Sequence, residues 1–155
     1  MNPRRLRIGE WLVGLGGVAL LAVMFLDWYE AGDAGLNAWQ ALSVADIVLA
    51  VLATMAVATA VMAAVHDTPA VSLALASLTL LVGLVAIVYV ALRSLTTPDV
   101  AGGDSSLALG GWLGIAATLL VNAGALASMR DERFPRGARI EVPVETLPPP
   151  EGGNA

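Results

Sequence analysis

Four long apolar runs, set apart by short polar stretches, frame this chain. They cover about residues 8–26, 44–65, 70–92 and 107–129. The third has no charged residue from Ala70 to Leu92. At about 1.5 Å per residue it reaches about 34 Å, against a hydrocarbon core of about 30 Å. Its many Leu, Ile and Val side chains favour insertion by roughly 4 to 8 kcal/mol as an upper bound. Runs of this length with short connections predict an all-α protein. The expected fold is a four-helix transmembrane bundle in up-down-up-down order.

The polar stretches supply the stops and starts. Leu26-Asp27-Trp28-Tyr29 through Asn37-Ala38-Trp39-Gln40 is acidic and Trp-bearing, and reads as an exposed loop between the first two spans. Asn37 suits the cap of a short interfacial helix with Gln40 at N3. Ser43 and Asp46 suit a capping box for the second span, with Leu42 and Ile47 as its hydrophobic staple. In His66-Asp67-Thr68-Pro69, Thr68 suits an N-cap and Pro69 the first helical position, so spans two and three form an antiparallel hairpin. Residues 94–106 form a second polar loop. The tail from 130 to 155, with Pro148-Pro149-Pro150, has little to bury and is expected to be disordered.

Composition changes the picture in one respect: it rules out a soluble domain. Apolar residues make up 57% and charged residues 14% of the 155 positions, against about 25% charged in soluble domains. The mean hydropathy is +0.77. Cysteine is absent, which excludes disulfides and thiolate chemistry. A pI of about 4.6 argues against a nucleic-acid partner, which requires clustered basic surface.

The basic residues are all arginine and set the orientation. Arg4, Arg5 and Arg7 precede the first span; Arg130, Arg133, Arg136 and Arg139 follow the fourth. The opposite side has only Arg93. The positive-inside rule then places both termini in the cytoplasm of a plasma (inner) membrane. Trp28, Trp39 and Trp112 fall at the outer boundary as interface residues, and Trp11 at the inner one. A basic start before an apolar run also suits a signal peptide, but this run exceeds an h-region of about 7–15 residues and no clear cleavage motif follows. It is expected to be retained as the first span.

Small residues recur along each span, as close helix packing in lipid requires. The stripes are Gly9, Gly14, Gly16 and Gly17; Asp46, Ala50, Ala53, Ala60 and Ala64; Ser72, Ala76, Thr79, Gly83 and Ala86; and Gly110, Gly114, Ala117, Gly124 and Ser128.

Polar residues inside spans are the candidates for function. Asp46 lies on a small-residue face, and Arg93 sits at the same outer level. They either pair, or serve separately as a helix cap and a snorkelling cation, the second reading being the commoner arrangement. Glu10, among the N-terminal arginines, suits an interfacial ion pair better than a proton or cation site. Asn122, one turn from Thr118, suits an interhelical hydrogen bond worth about 0.6 kcal/mol. His66 is the only histidine and reads as a solvated turn residue, not a metal ligand. The scattered carboxylates Asp27, Glu30, Asp33, Asp99 and Asp104 form no calcium cage. Gly14-Leu15-Gly16-Gly17 follows no strand, so it is no nucleotide fingerprint. No catalytic constellation, metal site or cofactor is expected.

Phe25-Leu26-Asp27-Trp28-Tyr29, then Leu36-Asn37-Ala38-Trp39-Gln40-Ala41 and Ser43-Val44-Ala45-Asp46, resembles small four-span membrane proteins of GC-rich, actinobacterial-type genomes. The resemblance covers mainly the first two spans and implies a fold and a membrane, without an activity. The layout with Trp in the first outer loop is also similar to claudin-like proteins, but lacks their paired cysteines. Two functions remain open. One is a structural or accessory protein that contacts the bilayer, other membrane proteins or itself. The other is a small transporter or channel component, which would need polar groups near mid-membrane.

Overall fold

The computed structural model describes residues 6–31, 34–42, 44–65, 69–95 and 106–133. The chain is mostly helical. Its elements in order are α1 (Ile8–Val23), β1 (Asp27–Ala31), β2 (Ala34–Asn37), α2 (Ala38–Ala41), α3 (Val44–Val65), α4 (Pro69–Leu95), β3 (Ser106–Leu107) and α5 (Leu109–Arg133). Segments Val44–Val65, Val71–Ser94 and Leu109–Arg130 are long and apolar enough to cross a membrane. α1 is apolar but, at 16 residues, reaches only about 24 Å. Beyond it, tight turns continue the chain: the Phe25 and Leu26 amides donate to the Ala22 and Val23 carbonyls at 3.2 and 3.1 Å.

The expected first span of residues 8–26 is therefore shortened by three residues as a helix, while α5 runs past 129 to Arg133. Ser43, the turn His66-Asp67-Thr68, most of the second loop and the tail from residue 134 lie outside the described residues, as do Arg4, Arg5, Asp33, Asp99 and Asp104. The capping box expected of Ser43 and Asp46 lies there with them. The cap on α2 is present: Asn37 Oδ1 accepts from the Gln40 amide at 3.1 Å, and Gln40 Oε1 accepts from the Asn37 amide at 3.2 Å.

Each long helix packs against two others. α1 lies against α5 and α3, and α4 against α5 and α3. Glycine lets backbones meet along the α1–α5 seam, where a Cβ on Gly9 would strike the Ser128 backbone, one on Gly16 would meet Val121, and one on Gly124 would meet Val13. These pairs run in opposite sequence order, so the two helices are antiparallel. On the other flank of α1, Gly17 meets Ala53 and Ala56, and Gly14 meets Ala60. The small-residue stripes are thus the faces along which the helices approach. Between them lie buried Val13, Leu20, Leu49, Leu52 and Val121.

The polar stretch after α1 departs from expectation. Instead of an exposed loop it forms a sheet of order β2-β1-β3, antiparallel throughout, whose third strand comes from the second loop. The fold is accordingly not purely α. The register slips between Asp27 and Tyr29, so Trp28 is the extra residue of a bulge. In a regular strand, adjacent side chains point to opposite faces. The bulge removes that alternation, and both Trp28 and Tyr29 are turned inward, each 1% exposed.

Trp28 is therefore not the interfacial anchor that its position in the sequence suggested. Its indole N–H donates to the Val23 carbonyl at 2.9 Å, and its own carbonyl accepts from the Ala108 amide at 2.8 Å. A Cβ on Gly114 would collide with the indole ring. Glycine at 114 is the slot that admits Trp28. Gly114→Ala should therefore destabilise the protein by about 1–3 kcal/mol, the usual cost of overpacking, measured as a lower unfolding midpoint in detergent. The reverse change at exposed Ala116, Ala116→Gly, should cost only the helix propensity of about 1 kcal/mol or less.

Candidate functional site

Polar side chains inside the helices gather in two places. The first lies under the sheet. Tyr29 packs there because the bulge aims it at the end of α4, and its hydroxyl donates to the Arg93 carbonyl at 3.2 Å. Arg93, in the last turn of α4, extends its guanidinium to the Ala41 carbonyl at the end of α2, with Nη2 to O at 3.0 Å. A cation there also complements the carbonyl end of the α4 dipole. Arg93 thus fastens α4, the strand and the short helix together. Its buried Nε has no hydrogen-bond partner.

Asp46 is buried in the first turn of α3 and accepts from the Ile47 amide. Among the described residues it forms no ion pair with Arg93. The guanidinium is engaged by the Ala41 backbone carbonyl, an acceptor that no residue pattern marks.

The second group runs along the interior of the helices. Thr59 of α3 and Thr79 of α4 are both fully buried, with their hydroxyl oxygens 3.0 Å apart. The Thr59 hydroxyl also donates to the Met55 carbonyl at 2.8 Å, so Thr79 supplies the proton between them. Asn122 was expected to bridge helices. Instead its amide N–H donates within α5, to the Thr118 carbonyl at 2.8 Å, and Oδ1 is buried without a partner. The amide lies over Gly83 of α4, where a Cβ would strike it. A hydroxyl pair, Thr59–Thr79, makes the buried hydrogen bond between α3 and α4 instead. Thr79 belonged to a recognised stripe, but nothing in spacing alone marked Thr59 as its partner.

At the end of the helices away from the sheet, Glu10 is only 9% exposed. Its Oε2 accepts from the Arg7 amide at 2.9 Å, closing the first turn of α1. It forms no ion pair among the described residues, and Arg4 and Arg5, two of the three arginines expected around it, lie outside them. Glu10, Thr59, Ser72, Ala76 and Ser128 line a crevice too narrow for a water molecule.

The remaining tryptophans take the surface. Trp39 and Trp112 are 42% and 62% exposed, and Phe25 contacts Trp39 with ring centroids 6.2 Å apart. Beside Trp39, an apolar groove of about 350 Å³ runs along Ile47, Val51 and Met55. Among the described residues, no group of three or more metal-ligating side chains converges. No family model matches the chain, and no curated protein or solved structure matches it either.

Burial raises the Tyr29 phenol above its ordinary 10.0, and the positive charge of Arg93 offsets part of that rise. The folded state therefore holds this proton more tightly than the unfolded chain. The resulting stabilisation is complete below the unfolded value and is lost as pH climbs through the folded one. In Tyr89→Phe, which leaves a single phenol, ultraviolet titration should give a midpoint above 10.0. Tyr29→Phe should cost about 0.5–1.5 kcal/mol through the lost hydrogen bond and abolish this alkaline transition.

Proposed function

We propose that this is a multi-pass protein of the plasma membrane whose four long helices form an up-down-up-down bundle with both termini in the cytoplasm. Its role in this reading is structural or accessory: it presents a fixed outer surface to other membrane proteins or to a second copy. The observation that carries the reading is the sheet assembled from both outer loops and fastened to the helix ends through Trp28, Tyr29 and Arg93. A segment held at so many points is pre-organised for contact, which lowers the entropy lost on association. Phe25, Leu26, Trp39 and Trp112 remain exposed around it. Aromatic residues of this kind suit both the bilayer interface and protein contacts.

Transport is the less favoured reading. Alternating access relies on broken helices and polar groups at mid-membrane. Here the described polar groups midway along the interior are the uncharged Thr59, Thr79, Thr118 and Asn122, set among Leu20, Leu49, Leu52 and Val121, and hollows of about 350 and 250 Å³ lie among exposed side chains on the helix surfaces.

Two measurements test this. Cysteines introduced at Asp33, Asp104 and Ile140 should be labelled by an impermeant reagent on intact cells at the first two positions only; labelling at 140 alone would invert the orientation. In proteoliposomes the protein should give no saturable flux. A flux abolished by Asn122→Ala would establish the transport reading instead.

A further inference from the structure

We draw no further inference here: the strongest candidate, the apolar groove that runs along α3 beside Trp39 over Ile47, Ala50, Val51, Thr54 and Met55, is an exposed helix face, and nothing in the structure shows what covers it.

Discussion

Close backbone approach between α1 and its neighbours is the constraint on which the rest of this structure depends. Apolar side chains gain nothing by leaving lipid for one another, so helices in a bilayer must be held by dispersion contacts and a few hydrogen bonds. Dispersion falls steeply with distance, which makes a shallow gap as harmful as a missing contact. Gly9, Gly14, Gly16 and Gly17 give α1 a surface with almost no relief, and α5 and α3 settle directly onto it. α1 is the shortest of the long helices, yet it serves as the strip that two others share.

That economy of side chains at the seam has a consequence at the sheet end. With α5 drawn so near, Gly110, Gly111 and Gly114 leave a recess at the mouth of the α1–α5 pair. Trp28 fills it, and the bulge that turns Trp28 inward also delivers Tyr29 to Arg93. The sheet and the helices are therefore one packing unit, joined through a large aromatic side chain and three hydrogen bonds to backbone carbonyls. A surface of this kind is carried by the helices instead of hanging from them.

The interior polar groups follow a common pattern. Thr59, Thr118 and Ser128 each satisfy their own proton within the helix by donating to a carbonyl one turn back. This hides hydroxyls in lipid at little cost, but it leaves their lone pairs pointing sideways at neighbouring helices. At Thr59 that lone pair receives Thr79. The same local habit thus produces a helix-to-helix bond where a second hydroxyl lies opposite.

The amino-acid order alone determined the long apolar helices, the cap of α2 by Asn37 and Gln40, the start of α4 at Pro69, and the small-residue faces along which the helices meet. Each of these rests on local periodicity or on groups within a few residues of one another. The tertiary structure decided what long-range geometry controls. Strand pairing brought Leu107 beside Tyr29 and created a sheet where the sequence showed only polar, Trp-bearing loops. It buried Trp28, because an amphipathic ring reads alike whether it faces headgroups or a glycine recess. Arg93 reached the Ala41 carbonyl instead of Asp46, and Asn122 turned back on its own helix, because backbone acceptors carry no mark in a residue pattern. Which partner a polar group finds depends on helix rotation and spacing of a few ångströms, and those are fixed only when every face has packed.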